Sequence, residues 1–249
     1  MILLLFLFLL FLCWGSFLNV VGYRIIHGYS LVLPRSFCPS CHTTIKWYDL
    51  IPLLSWFILR SKCRTCKAKI SPLYPLIEFL TALVLTALII FIEPRYWVSY
   101  GIFFSALIVT IRTDAETMLI ARSMTLALVP LAFLLSAFDF LPLSLFESIL
   151  GALFGYSILW SIAKIFYIIK KQEGMGEGDF ELLSMIGAFT GIVGAWITML
   201  IGACLGTLAA LIALMQGADR STKIAFGPWL ALGGVIYIFI QEWLQRFLL

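Results

Sequence analysis

Charged side chains are scarce in this chain: 12% of its 249 residues are Asp, Glu, Lys or Arg, and 62% are hydrophobic. A chain of this composition has too little polar surface to cover a soluble globule. Histidine is scarcer still, since only His27 and His42 occur and both precede residue 50, which excludes a Ser/His/Asp catalytic set. A GxxxxGK[ST] phosphate loop and a dinucleotide-binding glycine fingerprint are also absent. Carboxylates remain as the candidate catalytic groups.

Long apolar runs predict an all-α polytopic membrane protein with about eight transmembrane helices. Each run approaches the roughly 20 residues that a helix needs to cross a bilayer. The N-terminal run has no basic residue before Arg24, so we expect a retained first helix instead of a cleaved secretory signal. The run after Phe180 contains several glycines, which weaken a helix, and is a candidate for a segment that enters the membrane only partway. The predicted spans are residues 1–20, 73–92, 97–111, 124–140, 145–169, 181–194, 195–215 and 225–241.

Lys and Arg predict the orientation of these spans, because short cytoplasmic loops of membrane proteins collect them. With eight spans and the N-terminus outside, all of the 17 basic residues except Arg95 and Arg246 fall on the cytoplasmic side. Arg220 and Lys223 contribute the last cytoplasmic loop. Topology and contact with anionic lipid headgroups then explain the net charge of +4, and we expect no nucleic-acid binding.

Two CxxC pairs lie in residues 21–72, the one stretch long and polar enough for a small domain outside the bilayer. Each pair predicts a tight turn that presents two thiolates, and two turns complete a tetrahedral site. Two disulfides are the alternative, which a reducing cytosol disfavours. Adjacent His42 would be a competing ligand, but four thiolates already fill such a site. We therefore expect structural zinc (Zn²⁺) bound by Cys38, Cys41, Cys63 and Cys66.

An aromatic segment, residues 47–56, lies inside the same stretch and is too short to span a bilayer. Trp and Tyr favour the headgroup region, so the segment is expected in the membrane interface, where it would dock the cysteine domain. A small hydrophobic core around the metal explains the same residues equally well.

Two acids at the ends of apolar runs, Asp114 and Asp179, are the candidate catalytic residues. The predicted topology places both on the cytoplasmic side, where they could meet and share one proton, as the acids of aspartic proteases do. Gly176 and Gly178 precede Asp179 and are site candidates too, because glycine permits positive φ and close approach of a peptide. The alternatives are an N-cap role for Asp179 and, for Asp114, a solvated ion pair with a nearby arginine.

Two further acids accompany these candidates. Glu116 follows Asp114 by two residues, so the two side chains do not share a helix face and only one is expected in a common pocket. Glu78 lies about one turn inside its span, where a charge is costly and is usually functional or paired. We therefore keep Glu78 as a candidate site residue.

With these motifs in order, the chain resembles the bacterial type IV prepilin peptidases, bifunctional membrane enzymes of the aspartic GxGD class. The resemblance covers nearly the whole length. In the first 78 residues the matching segments are residues 15–21 with Tyr23-Arg24, the two CxxC pairs, residues 47–49 with Ile51-Pro52 and Ser55-Trp56, and residues 70–72 with Tyr74-Pro75 and Glu78. Further along they are Asp114 with residues 117–119, residues 174–179, and residues 226–228 with 230–234.

The resemblance implies a multi-pass protein of the bacterial inner (cytoplasmic) membrane whose active site faces the cytoplasm. Such enzymes remove the leader of type IV prepilins and of type II secretion pseudopilins, cutting after Gly. Asp114 and Asp179 would be the catalytic pair, one taking a proton from water and the other polarising the scissile carbonyl. Members with the zinc loop also N-methylate the new N-terminal residue with S-adenosylmethionine, for which this sequence indicates no binding residue.

The resulting division is a first transmembrane helix at 1–20, a zinc-binding module at 21–72 and a membrane-embedded aspartic peptidase domain at 73–249. One departure concerns Ile120-Ala121-Arg122, where the family usually reads Leu-Pro-Asp. A cation facing the site would lower the pKa of the acid pair and oppose its protonated member. Because the family's Asp at this position is not one of the two catalytic acids, we expect retained activity with an altered pH optimum. A non-catalytic scaffold of a pilus or type II secretion assembly is the alternative, and a transporter that uses both acids in an ion pathway has the least support.

Overall fold

The computed structural model describes residues 2–172, 174–217, 219 and 225–248, without the side chains of 242 and 244–248. Over these residues the regular secondary structure is helical, and strand pairing is limited to two isolated bridges. This confirms the predicted all-α class. Arg220 and Lys223, and the side chain of Arg246, which entered the topology argument, lie outside the described residues.

The α-helices of the described residues are α1 (Ile2–His27), α2 (Leu54–Ile58), α3 (Leu73–Phe91), α4 (Trp97–Thr117), α5 (Leu128–Ala137), α6 (Leu145–Lys170), α7 (Glu177–Met215) and α8 (Gly227–Leu248). Short 3₁₀ helices lie at Trp47–Leu50, Pro94–Tyr96 and Arg122–Met124. Five helices, α1, α3, α4, α6 and α7, are long and apolar enough to cross a membrane, whereas the apolar segments Arg122–Ala137 and Gly227–Gln241 are shorter. A multi-pass membrane protein fits this pattern, and the count of eight spans stays a prediction.

The longest helix, α7, joins two spans that were predicted separately, 181–194 and 195–215. Its 39 residues would extend roughly 58 Å at about 1.5 Å per residue, about twice the thickness of a bilayer core. The backbone leaves helical geometry at Gly191, where φ is 73° and ψ is −176°, a conformation open mainly to glycine. Gly191 therefore divides α7 into a short first part, which carries Asp179, and a longer second part.

Small residues allow α6 and the first part of α7 to pack backbone against backbone. A Cβ atom added to Gly151 of α6 would overlap the carbonyl oxygen of Gly187 in α7. The Ser184 hydroxyl donates a hydrogen bond to the Ala152 carbonyl at 3.0 Å across the same contact. Close packing of this kind is how helices associate where lipid removes the usual hydrophobic driving force. It fixes the part of α7 that carries Asp179.

The chain divides into two compact units, Met1–Ile90 and Phe91–Leu249. The first unit contains α1, α3 and, between them, residues 28–72 with the two CxxC pairs, here called the cysteine segment. The second unit contains both candidate acids. In the first unit, α1 continues past its predicted end at residue 20, so Arg24 lies in the helix and not in the following loop. Arg24 is buried and donates to the carbonyl oxygens of Ser30, at 2.7 Å, and Pro34. It thereby fastens the start of the cysteine segment to α1.

Candidate functional site

Asp114 and Asp179 lie at helix ends inside the second unit. Asp114 is in the last turn of α4 and Asp179 in the first turn of α7, and their exposed fractions are 5% and 8%. The backbone N–H of Gly227, the first residue of α8, donates a hydrogen bond to Oδ2 of Asp114 at 2.9 Å. Ile120, in the loop after α4, packs both against Gly227, beside Asp114, and against Gly178, the residue before Asp179. The structure thus places the two acids singled out by the sequence around the same residue.

Gly176, and not Asp179, is the N-cap of α7. Its carbonyl oxygen accepts a hydrogen bond from the Asp179 N–H at 3.2 Å, so the N-cap alternative for Asp179 is wrong. Gly176 has φ −77° and Gly178 is helical, so neither glycine uses the positive φ that the sequence suggested. Asp179 instead lies in the first turn of α7, three residues after the N-cap.

Close packing explains Gly178. A Cβ atom at this position would lie 2.9 Å from Cβ of Ile120, the residue in the loop between α4 and α5 that packs on the start of α7. The same Ile120 side chain reaches α8, because a Cβ atom on Gly227 would lie 3.0 Å from Ile120 Cδ1 and 2.6 Å from Asp114 Oδ2. Ile120 therefore lies between the starts of α7 and α8, beside Asp114.

Gly227 is a site residue that the sequence reasoning missed. The sequence pointed to Gly227 only through the segment Phe226-Gly227-Pro228, which matches the family but by itself assigns no role to the glycine. Because its N–H bonds Asp114 and its missing side chain leaves room for that carboxylate, Gly227 sets the position of the first acid.

The ion-pair alternative for Asp114 is also wrong. Arg112, whose side chain is buried, pairs with Glu116 one helical turn along α4. Arg122 pairs with Glu177 and Glu181 of α7, at N–O distances of 3.2 and 2.9 Å. Glu116 therefore pairs with Arg112 and does not share a pocket with Asp114, as its i+2 position predicts.

In the first unit, the two CxxC pairs form two turns of the same design. In the first turn the Cys38 N–H donates to the Thr43 carbonyl at 3.0 Å, and in the second the Cys63 N–H donates to the Ala68 carbonyl at 2.8 Å. The residue after each second cysteine, His42 or Lys67, has a positive φ. All six cysteines are free thiols, so the disulfide alternative is not formed. The ligand atoms of Cys38, Cys41, Cys63 and Cys66 all lie within 4.8 Å of one another.

The four-thiol cluster has the size of a tetrahedral zinc site. Zn–S bonds of about 2.3 Å place two sulfur atoms about 3.8 Å apart, and the Sγ atoms of Cys38 and Cys66 are 3.8 Å apart. Side-chain and backbone hydrogen bonds with Thr43 lower the pKa of the Cys41 thiol to about 6. The Ala68 backbone acts to lower the pKa of Cys66, but burial and the neighbouring thiols outweigh it and raise that pKa to about 11. A cation bound among the four sulfur atoms would stabilise the thiolate form of each cysteine.

Glu78 belongs to the first unit, where it holds the cysteine segment. Its buried carboxylate accepts a hydrogen bond from the Leu53 N–H at 2.8 Å. Leu53 has φ 60°, an unfavourable conformation for a leucine, so this contact stabilises a strained turn before α2. Glu78 is therefore a buried acid whose carboxylate has a hydrogen-bond partner within the protein. The sequence led us to expect that it would be either paired or functional.

The aromatic segment lies on the surface of the first unit. Trp47 is 74% exposed, and Leu54, Phe57 and Ile58 are exposed as well. These side chains do not form a core around the cysteines, so that alternative is wrong. An exposed apolar surface beside a membrane helix fits the interfacial location, where Trp is favoured.

Two buried aspartates at helix ends around Ile120 are an arrangement that aspartic peptidase chemistry could use. Residues 9–92 match the bacterial peptidase A24 N-terminal domain, and residues 101–211 match the type IV leader peptidase family. No solved structure matches the chain.

Curated relatives carry the name prepilin leader peptidase/N-methyltransferase. The protein of Aeromonas hydrophila is 34% identical over 97% of this chain and 92% of its own length. That of Pseudomonas aeruginosa is 34% identical over 96% and 90%, and that of Klebsiella pneumoniae 39% identical over 75% and 84%. The chain belongs to the type IV leader peptidase family.

Proposed function

We propose that this chain is a membrane aspartic endopeptidase that removes the leader peptide of type IV prepilins and pseudopilins after Gly, at the cytoplasmic face of the bacterial inner membrane. It then N-methylates the new N-terminal residue with S-adenosylmethionine. The burial of Asp114 and Asp179 around the same residue, Ile120, in a chain of this family, is the observation that carries the proposal. The relatives' names, which join both activities, support the second step.

The two carboxylates divide the hydrolysis between them. Two like charges in a dry pocket are not both ionised, so one proton is shared. Asp114 accepts a hydrogen bond from the Gly227 N–H, which stabilises its anion, and we assign it as the base. It takes a proton from water while the oxygen attacks the scissile carbonyl carbon, and Asp179 gives its proton to the carbonyl oxygen. Return of the proton from Asp114 to the leaving nitrogen, and of a hydroxyl proton to Asp179, breaks the C–N bond.

The test is incubation of the purified protein with a prepilin, with and without S-adenosylmethionine, followed by mass spectrometry. We expect leader removal in both reactions and the added mass of one methyl group only with the donor. An intact prepilin would contradict the peptidase function, and an unmethylated product in the presence of donor would contradict the second activity.

Gly227→Ala is expected to slow leader removal because its Cβ atom would collide with Asp114 Oδ2. Displacement of a catalytic group by about 1 Å costs roughly 100-fold in rate, so we expect kcat to fall about 10- to 100-fold. The matched control is Gly101→Ala in α4, where an added Cβ atom meets nothing within 4 Å. Equal activity of the two variants, measured on prepilin cleavage, would contradict the assigned role of Gly227.

For the methyl donor we infer a binding site in a cavity of about 380 Å³ in the first unit. Its volume is within the range of small-molecule sites. Ser16, Val20 and Arg24 of α1 line one side, and Arg35 and Pro52 line the other. The guanidinium of Arg35, which is exposed, suits the carboxylate of S-adenosylmethionine.

Val20→Trp, which fills this cavity, is expected to lower methylation at least about 10-fold, because the donor loses the space that buries it. Leader removal should stay at the parent rate, since both acids are in the other unit. Leu9→Trp, at an exposed position of the same helix, is the control. The site would be contradicted by unchanged methylation of a pre-cleaved pilin by Val20→Trp.

A further inference from the structure

Arg122, which stands where the resemblance expects an acid, has two acidic partners on α7. Its Nε donates to Oε1 of Glu181 at 2.9 Å, and a terminal nitrogen lies 3.2 Å from Oε2 of Glu177. Glu177 and Glu181 are four residues apart and share one face of α7, whereas Asp179 between them points to another face. Arg122 therefore holds the first turns of α7 from the side away from the catalytic carboxylate.

The pair with Glu181 makes the main contribution to this contact. The Glu181 side chain is 6% exposed, and its second oxygen accepts a hydrogen bond from the Thr125 hydroxyl at 3.5 Å. A carboxylate so far removed from water is costly to leave unpaired. Glu177 is 79% exposed and Arg122 is 69% exposed, so water screens their contact and leaves it weak.

The loop that presents Arg122 also presents Ile120. Arg122 opens the 3₁₀ helix Arg122–Met124, two residues after the isoleucine that lies against Gly178 and beside Gly227. Fixing Arg122 to Glu181 therefore fixes the side chain that spaces the start of α7 from the start of α8. The first carries Asp179, and the second binds Asp114 through the Gly227 N–H.

We propose that Arg122 and Glu181 are a positioning pair for the peptidase site, which acts through the Ile120 loop to hold Asp179 at its working distance from Asp114. The inference rests on the proposed peptidase function. In the proposed mechanism the pair does not exchange protons with the attacking water or the scissile bond. The salt bridge needs one positive and one negative charge, so exchanging Arg122 and Glu181 with each other keeps it.

The test measures kcat and KM for prepilin cleavage by the full-length protein and by Arg122→Glu, Glu181→Arg and the double exchange. We expect each single variant to lower kcat about 10- to 100-fold with KM nearly unchanged, since the acid pair is misplaced while the substrate surface is kept. The double variant should recover to within about threefold of the parent. Glu181→Gln, which keeps the shape of the side chain, should show a smaller loss in the same direction.

Arg95→Glu is the matched control, because Arg95 forms an exposed pair with Asp139 at 3.7 Å and should leave kcat unchanged. A melting temperature of the purified protein close to that of the parent reports that the variants are folded. Single variants as active as the parent, or a double variant no better than the singles, would overturn the proposal. A rise in KM alone would place Arg122 in substrate binding and overturn the positioning role. A parent protein inactive on prepilin would instead refute the proposed function itself, and this role with it.

Discussion

Asp179→Asn and Asp114→Asn are each expected to abolish leader removal, with kcat lowered at least about 100-fold and by as much as about 10⁴-fold. Asparagine keeps the size of each side chain but neither takes a proton from water nor supplies one to the carbonyl oxygen. Both carboxylates are buried at helix ends, so bulk water does not replace them. The measurement is the rate of prepilin cleavage, followed by the mass of the product.

The control for these variants is Asp139→Asn. Asp139 belongs to the same unit, but its side chain is 84% exposed and pairs only loosely with Arg95. We expect parent activity from this variant. Methylation of a pre-cleaved pilin should survive in all three variants, and a melting temperature close to that of the parent would show that each variant is folded. Normal cleavage by either Asp114→Asn or Asp179→Asn would contradict the assigned pair.

Cys63→Ser is expected to remove zinc from the protein and to abolish methylation. Structural zinc contributes about 10–16 kcal/mol in small domains, and the residues around the cluster have little other regular structure than short turns and the helix α2. We expect zinc content to fall from one ion per chain to near zero, and the cysteine segment to become sensitive to protease. Elemental analysis and limited proteolysis measure the two effects.

Cys204→Ser is the matched control, because Cys204 is an exposed thiol on α7, in the other compact unit, and is not one of the four clustered cysteines. It should keep zinc, methylation and cleavage. Leader removal should also persist in Cys63→Ser, since the acid pair lies in the other compact unit. A Cys63→Ser protein that still holds one zinc per chain would contradict the four-thiolate site.

The sequence predicted the helical class and the residues with chemical signatures, because these depend on composition and short spacing. Two CxxC turns and two acids at the ends of apolar runs are local patterns. The structure gathers the four cysteines and places the two acids around Ile120. The position of the break in α7 was not predicted. Several glycines lie in that region of the sequence, and only the backbone conformation of the folded chain shows that the break falls at Gly191.

Long-range contacts account for most of what the sequence left open. Gly227 binds Asp114 across more than a hundred residues, and no spacing rule connects the two. Arg122 was interpreted alone, as a cation approaching the acid pair, because its partners lie on another helix. With Glu177 and Glu181 beside it, the departure at Arg122 no longer favours a non-catalytic scaffold, and the family relationship does not favour one either.

The most direct test of the paired carboxylates is the rate of prepilin cleavage by Asp114→Asn, Asp179→Asn and the double variant. If the two acids act as one unit on a single water molecule, the double variant should be no slower than the slower single variant, within about threefold. Losses that multiply in the double variant would mean that the acids act independently, and a mechanism in which they share one proton would be wrong.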